Sequence, residues 1–208
     1  MAKLSFCILL FVLLQIPTEF EPAHLKKVAS VEHNPNVIAT TWVIADLDIG
    51  LDGHVRFPRV LKGGEPHRSS VLSSVSNWIF APARATTEVE SHVTAVFLFR
   101  SRDMFAPPAI DLSDLVAAGP DSPPIPVSLS DPGYPANSLA EGEVVLELQV
   151  SEAGSIQDVR VVRGIPRLTE FTELAVRSWR FAPALWAGRV VPGTVIATVS
   201  YLRPVVVK

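Results

Sequence analysis

The sequence predicts an α+β protein of two small modules, each an antiparallel three-stranded sheet packed against one helix in the order β-β-α-β. Three observations lead to this fold class. The near-identical heptapeptides NWIFAPA and SWRFAPA occupy residues 77–83 and 178–184. Segments with alternating apolar residues flank both heptapeptides, as expected of half-buried strands. The chain has 208 residues, which is enough for two small domains.

The repeat has a constant spacing. Its matched residues lie 101 positions apart, and they are Gly53 and Gly154, Trp78 and Trp179, Phe80 and Phe181, and Pro82 and Pro183. Self-similarity at a fixed period marks repeated structural units. We therefore expect one module over about residues 36–100 and a second over residues 132–204.

Each module begins with an alternating strand. In EVVLELQV, apolar side chains occupy every second position from Val144 to Val150, and Glu143 and Glu147 lie on the opposite face. The first module alternates in the same way from Val43 to Ile49. Such a pattern is typical of a strand with one buried and one solvated face, so we expect the two glutamates to be solvated.

A hairpin and a second strand follow. Gly53 in LDGH and Gly154 in EAGS supply the positive φ that tight hairpins require. The second strands carry Val159 and Val161 in one module and Val55, Phe57 and Val60 in the other. Pro58 has no backbone N–H, which predicts an edge strand or a bulge at that point.

A helix and a final strand complete each module. The helix of the second module is predicted from the stripe Leu168, Phe171, Ala175 and Ser178, and that of the first from Val71, Val75 and Trp78. The final strands alternate through Val93, Ala95, Phe97 and Phe99 in the first module and through Val195, Ala197, Val199 and Tyr201 in the second.

The Trp-x-Phe-Ala-Pro motif stands at the end of each predicted helix. Proline cannot continue a helix and biases the preceding alanine toward an extended conformation, so the chain leaves the helix at a fixed angle. The two rings then meet at one corner, where burial of each contributes roughly 2 to 3 kcal/mol. We interpret the motif residues as a packing brace: Trp78, Phe80, Pro82, Trp179, Phe181 and Pro183. Trp186, in the loop LWAGRVV, is the better candidate for an aromatic anchor that binds a partner.

Two segments lie outside the modules. Residues 101–131 contain six prolines and predict a semi-rigid connector, in which AIDLSDLVAA has room for a helical turn or two. The apolar run from Leu4 to Ile16 follows Lys3 and is shorter than the roughly 20 residues of a transmembrane helix. Residues 1–16 are therefore interpreted as a secretory signal peptide, with a short membrane anchor or a misplaced start as the alternatives.

Composition excludes several classes of function. Hydrophobic residues make up 48% of the chain, charged residues 19%, and the formal charge is −3, as in ordinary globular proteins. Neither module has the clustered Lys and Arg that nucleic acid binding requires. Cys7 is the only cysteine, so neither an internal disulfide nor a cysteine-based metal site can form.

The sequence gives no sign of a metal site, a cofactor or an active site. Asp46, Asp48 and Asp52 lie close together, but Gly50 and Phe57 stand where a calcium loop of the EF-hand type needs ligands. The five histidines are scattered. No nucleophile lies next to a suitable base in a recognisable motif, so we expect no enzymatic activity.

A further set of residues carries a family resemblance. Tyr134-Pro135, Gly142, Gly154 and WRFAPA followed by GRVV stand at matching places in a known domain. On these residues, the segment 127–204 closely resembles the C-terminal domain of TonB-type energy transducers. The first module keeps the glycine, the tryptophan motif and the strands but lacks the Tyr-Pro signature, and it resembles a diverged second example.

The resemblance implies a role in the envelope of a Gram-negative bacterium. In this family, the domain lies in the periplasm and pairs a strand with a short peptide of an outer-membrane transporter. It passes on force that originates in the inner-membrane proton gradient. The implied partners are an outer-membrane transporter or another envelope protein, with an inner-membrane proton-channel complex as the source of force. The chain would be exported by its N-terminal signal or tethered to the inner membrane.

The resemblance also implies a binding edge at the final strand, 194–202, since strand pairing uses main-chain hydrogen bonds while alternate side chains give selectivity. The outward residues would be Thr194, Ile196, Thr198, Ser200 and Leu202. A spacer of about 15 residues before the first module reaches only about 50 Å, which favours binding in the envelope over force transmission from the inner membrane.

A second hypothesis belongs to a different class of function. The chain would be a structural or assembly protein of the envelope whose modules pair with each other through their final strands, or oligomerise, for example as a homodimer. In that case no edge of strand 194–202 stays free. Whether this strand is open or covered distinguishes the two hypotheses.

Overall fold

The structure is a computed structural model that describes residues 20–34, 39–103, 109–117 and 119–204. The signal peptide or anchor expected at residues 1–16 lies outside the described residues. Within the described ranges, no helix combines the length and the hydropathy needed to cross a membrane.

The described residues contain two helices and fourteen strands, which agrees with the predicted α+β class. The elements of the first module are β1 (His24–Lys27), β2 (Thr41–Ile49), β3 (Arg59–Lys62), α1 (His67–Val75), β4 (Ile79–Ala81), β5 (Ala83–Arg84), β6 (Glu88–Val89) and β7 (Ser91–Phe99). Those of the second are β8 (Ile125–Ser128), β9 (Gly142–Val150), β10 (Ile156–Arg163), α2 (Leu168–Val176), β11 (Arg180–Ala182), β12 (Ala184–Trp186), β13 (Arg189–Val191) and β14 (Gly193–Tyr201).

The two modules share one sheet instead of having a separate three-stranded sheet each. Its six strands lie in the order β10-β9-β14-β7-β2-β3. The central pair, β14 and β7, is parallel and runs from Val195 opposite Thr94 to Ser200 opposite Phe99. All other neighbours in this sheet are antiparallel. The final strands of the two modules therefore join the modules side by side.

The repeat extends further than the sequence indicated. Strands β1 and β8 begin at His24 and Ile125, which are 101 positions apart, as are the starts of α1 and α2. The final strands are 102 positions apart, because the hairpin of β12 and β13 is one residue longer than that of β5 and β6. The elements that recur thus begin at about residues 24 and 125.

Both faces of the sheet are covered. One face packs against α2 and against buried residues of the segment 109–134, such as Leu112 and Tyr134. The opposite face packs against α1 and against the N-terminal segment 20–33, which contributes Leu25 and Val31. Each helix lies over the strands of its own module. The segment that precedes each module, 20–33 for the first and 109–134 for the second, is its leading segment, and it contacts strands of the other module. The strands expected to be half-buried are consequently buried on both faces.

The segment 101–131 is not a free connector over its described part. Leu112 is buried, and Ile110 and Leu115 pack beside it against the sheet face that carries Trp42. The Nζ of Lys62 lies 2.8 Å from a carboxylate oxygen of Asp114. Apolar side chains of this proline-rich segment therefore pack it against the first module. The last part of the segment forms β8.

The buried stripe of α2 differs from the predicted one. The helix buries Leu168, Thr172 and Val176, whereas Phe171 is largely exposed. Thr172 can be buried because its hydroxyl donates to the carbonyl oxygen of Leu168 at 2.7 Å and lies 2.8 Å from the hydroxyl of Tyr201. The polar residue Thr172 thus lies in the core, whereas the spacing of hydrophobic residues predicts its neighbour Phe171 there.

The edge strand of the first module is shorter than expected. Strand β3 begins directly after Pro58 and lies at the end of the sheet, which is one of the two predicted alternatives, an edge or a bulge. The matching strand β10 lies at the other end without a proline, so the edge position does not depend on Pro58. Phe57 was expected within the strand, but it lies outside β3 and is 75% exposed.

Candidate functional site: the paired final strands

Strand β14 does not present the open edge that was expected at residues 194–202. It pairs with β9 on one side, from Gly193 opposite Val150 to Tyr201 opposite Gly142. On its other side it pairs with β7. The physical reason lies in the composition of the two final strands. Each is apolar on one face, and on the other face β7 carries Val96 and Leu98 while β14 carries Ile196 among small uncharged residues, so that both strands can be buried in the middle of a sheet.

The five residues expected on the outer face take different positions. Thr194, Ile196, Thr198 and Ser200 are all buried, at no more than 6% exposure. Ile196 packs in the same core as α1. Leu202 follows the strand and is half-buried beside a surface groove. None of the four strand residues is therefore accessible to a partner in this arrangement.

The N-terminal segment 20–33 covers this face of β14. The hydroxyl of Thr194 donates to the carbonyl oxygen of Ala23 at 2.6 Å. At the other end of the strand, the Nδ1 of His33 lies 2.8 Å from the hydroxyl oxygen of Ser200. The segment thus runs along the strand from its first residues to its last.

Glu147 is the main anchor of that segment. Its side chain is 2% exposed, and one carboxylate oxygen accepts the backbone N–H of Leu25 at 2.8 Å. Arg160 of the neighbouring strand donates to the same oxygen as Leu25, at 2.5 Å, and the Nδ1 of His24 lies 2.8 Å from the other oxygen. Burial alone would raise the pKa of Glu147, but the hydrogen bonds from His24, Arg160 and Leu25 outweigh it and lower that pKa. The bond to Glu147 also raises the pKa of His24.

Glu143, four residues before Glu147 on the same face of β9, also binds a backbone N–H of the segment 20–33 and an arginine of β10. Its carboxylate accepts the backbone N–H of Val31 at 3.1 Å and a bond from Arg163. Here burial outweighs the bonds, and the pKa of Glu143 is raised. The glutamates expected to be solvated are thus contacts of the segment 20–33, with Glu147 buried and Glu143 half-buried. The sequence contained one signal for them, since Glu147 and Arg160 recur 101 positions earlier as the ion pair of Asp46 and Arg59.

The tryptophan corners are buried in both modules. Trp78 and Trp179 are each 1% exposed. Their indole N–H groups donate to the carbonyl oxygens of Ala29 at 3.2 Å and Ser130 at 2.9 Å. In each module the motif therefore fastens the leading segment to the end of the helix.

The hairpin glycines complete these corners. Gly53 and Gly154 both have φ of 77°. The backbone N–H of Phe80 donates to the carbonyl oxygen of Gly53 at 2.8 Å, and that of Phe181 donates to Gly154 at 3.0 Å. Each hairpin thus lies directly against the strand that comes after the tryptophan.

Trp186, the expected aromatic anchor, lies in strand β12 and not in a loop. It is half-buried, and its ring centroid is 5.5 Å from that of Phe20. The start of the N-terminal segment thus shields part of the surface that a partner would use.

The aspartates near the first hairpin are used in ion pairs and turns. Asp46 is buried, with Arg59 at 3.0 Å from one carboxylate oxygen and His92 at 2.8 Å from the other. Asp52 accepts the backbone N–H of His54 at 3.1 Å. In the described part of the chain, no group of three or more potential ligands is arranged to hold a metal ion.

Comparison with known proteins identifies one family. Residues 131–202 match the family model described as Gram-negative bacterial TonB protein C-terminal, over about a third of the chain. The match confirms the resemblance for the second module; it does not extend to the first. No curated protein and no solved structure matches the chain significantly. The matched family is a non-enzymatic protein-interaction domain of the Gram-negative envelope, known to interact with outer-membrane transporters.

Proposed function

Because residues 131–202 carry a TonB C-terminal domain, we propose that the chain is a TonB-like periplasmic protein that takes part in envelope transport by binding, without catalysis of its own. We propose in addition that the first module, a diverged relative of the second, occupies the strand edge on which such binding depends. In the unbound chain, β14 would then be paired with β7, and a partner would bind only by taking the place of β7.

The pairing of β14 with β7 is the observation that carries this proposal. Six consecutive residues of β14, from Val195 to Ser200, oppose residues of β7. A transporter peptide that adds to the sheet needs the same main-chain N–H and C=O groups of β14. Binding at this edge therefore requires that β7 be displaced.

A reversible lock between the two strands tests the proposal. Ala197 and Val96 oppose each other in the pairing, and Cys residues at both positions keep the total volume nearly unchanged. The variant Val96→Cys/Ala197→Cys is made in a Cys7→Ser background, oxidised, and titrated with synthetic N-terminal peptides of outer-membrane transporters from the same organism. NMR shifts of residues 194–202 report binding.

We expect the reduced variant to bind a transporter peptide, with shifts at residues 194–202, and the oxidised variant to lose that binding. Equal binding before and after oxidation would show that the peptide uses a different surface. No binding by either the reduced variant or the natural chain would contradict transporter binding at this strand.

A structural or assembly role is the second candidate. It is supported by the leading segments, since residues 20–33 and 109–134 each cover strands of the other module. If no transporter peptide binds and the chain co-purifies with other envelope proteins after crosslinking in cells, this candidate takes the place of the first.

Energy transduction forms a separate part of the proposal. It requires that the chain stay tethered to the inner membrane, and residues 1–16 are the segment expected to do so. Mass spectrometry of the mature protein decides this point. Retention of residues 1–16 supports coupling to an inner-membrane proton-channel complex, whereas a terminus downstream of residue 16 contradicts it.

A further inference from the structure

Strand β10 forms one end of the six-stranded sheet. It spans eight residues, whereas β3 at the other end spans four. Among the described residues, no strand pairs with its outer side. Its pairing with β9 is regular from Asp158 to Val161 and irregular on either side of that stretch. An unpaired edge of this kind is a template for another strand.

The side chains of the regular stretch differ between its two faces. On the face toward α2, Val159 is half-buried and Val161 is 41% exposed. On the opposite face, Asp158 is exposed and has no ion pair among the described residues. Arg160 contacts Glu147, but 49% of its side-chain surface remains exposed. The edge thus carries one free anion, one half-exposed cation and two incompletely buried valines.

We propose that this edge pairs with β10 of a second molecule of the same chain, in an antiparallel dimer centred on Val159. In an antiparallel pair, every second residue of a strand points its N–H and C=O groups to the neighbouring strand, and such a residue lies opposite another of the same kind. Two identical edges can therefore pair only in registers centred on a residue, and within the regular stretch these are centred on Asp158, Val159, Arg160 or Val161.

Charge selects one of these registers. A pair centred on Asp158 would oppose two aspartates, and a pair centred on Arg160 would oppose two arginines, both of which are unfavourable. The register centred on Val161 brings no opposite charges of the stretch together. The register centred on Val159 opposes Asp158 to Arg160 twice, once on each side of the two-fold axis. It also brings the two copies of Val159 into contact.

The opposite end of the sheet lacks this complementarity. Strand β3 has Arg59 and Lys62 at its two ends and no acidic residue between them. It also directly follows Pro58. Both cations are already paired within the chain, Arg59 with Asp46 and Lys62 with Asp114, so self-pairing through β3 would gain no new contact between opposite charges. The sheet is therefore expected to extend through β10 alone, into a continuous sheet of two molecules.

Disulfide crosslinking tests the register. In a Cys7→Ser background, Val159→Cys places one Cys opposite its own copy, and we expect a disulfide dimer under mild oxidation. Gln157→Cys is the matched control, since its two copies would lie about 13 Å apart along the strands, beyond the reach of a disulfide. Equal crosslinking of both variants, or none of Val159→Cys, would overturn the proposed register.

Charge reversal tests the pairing in the natural chain. Asp158→Arg is expected to weaken the dimer by at least about fivefold in sedimentation equilibrium, because two favourable pairs become repulsive. Glu152→Arg, an exposed change of equal charge in the neighbouring hairpin, is expected to leave the dimer intact. A monomeric natural chain, or equal effects of both variants, would overturn the proposal. The result is independent of transporter binding, which uses β14.

Discussion

The indole ring of Trp42, in β2 of the first module, packs edge to face against that of Trp179 in the second, with ring centroids 6.0 Å apart. Trp179 belongs to the repeated motif, whereas Trp42 lies on the face of its own module that was expected to be solvated. A residue of the second module's corner is therefore also part of the first module's packing.

This contact predicts that the two modules unfold together. Trp179→Ala removes a buried ring and its bond to Ser130, at an expected cost of roughly 3 to 5 kcal/mol in the free energy of unfolding. Urea unfolding followed by circular dichroism should show one transition at lower urea for the whole chain. Trp186→Ala, at a half-buried position, is the control and should cost less.

Two separate transitions, with only one of them shifted, would contradict the shared core. A stable Trp179→Ala variant that has lost only its partner would show that the motif binds a partner and is not a brace.

The long strands of each module could be predicted from the sequence, whereas the short strands and the partner of the last strand could not. Alternation and the glycine turns locate β2, β9, β7 and β14 nearly residue for residue. Alternation shows that a strand has two faces, but it does not say what covers the second face. Asp46 and Glu147 suggested solvent there, because a buried carboxylate is recognisable only once its arginine is placed beside it.

The position of β14 illustrates the same limit. Its outward residues Thr194, Ile196, Thr198 and Ser200 are of intermediate polarity, and they suit an exposed edge as well as a centre. What distinguished the two was β7, in which Val96 and Leu98 make the second face apolar as well and require burial. A repeat in which one final strand is apolar on both faces, and the other carries no charged residue, favours pairing within the chain.

The hairpin glycines provide a prediction with an internal control. A Cβ atom at Gly154 would lie 1.8 Å from the carbonyl oxygen of Phe181, and one at Gly53 would lie 2.0 Å from that of Phe80. At Gly188, where φ is 74°, no atom of the described residues beyond its two chain neighbours lies within 4 Å of the added carbon. Gly188→Ala should therefore cost only the backbone strain, about 1 to 2 kcal/mol.

Gly154→Ala and Gly53→Ala should cost that strain and a further 1 to 3 kcal/mol or so, because the strand after each tryptophan has to move. Thermal unfolding of the three variants measures the difference. Equal destabilisation at all three positions would show that φ alone determines the requirement for glycine.

The environment of His33 predicts that this residue contributes a loss of stability in mild acid. Burial, together with the neighbouring His67 and Arg102, lowers the pKa of His33 to about 4 from an ordinary value of 6.5. Between these values His33 binds a proton in the unfolded chain and not in the folded chain, so its contribution to the free energy of unfolding falls as pH drops from about 6.5 to 4. Below that range this contribution is constant.

His33→Gln should flatten the dependence of stability on pH between 6.5 and 4, measured by urea unfolding at several pH values. His54→Gln, at an exposed position, is the matched control for the loss of a histidine. An unchanged slope in His33→Gln would contradict the assignment of the acid sensitivity to this residue.

The bond between Glu147 and Leu25 predicts a local effect on the N-terminal segment. Glu147→Gln keeps the shape of the side chain but removes the charge that Arg160 and His24 face, and we expect a loss of roughly 1 to 3 kcal/mol. Because the pKa of Glu147 lies below its usual range, its contribution is present above about pH 4.5 and is lost as pH falls through that lowered pKa.

Hydrogen exchange at the backbone N–H of Leu25 measures the effect directly, since that group donates to Glu147. Exchange there should be faster in Glu147→Gln at neutral pH, while the amides of β2 and β7 stay protected. Asp46→Asn, which alters the matching ion pair of the first module, should leave the exchange of Leu25 unchanged. Equal exposure of Leu25 in both variants would mean that the segment 20–33 is held by the stability of the whole sheet, and not by Glu147.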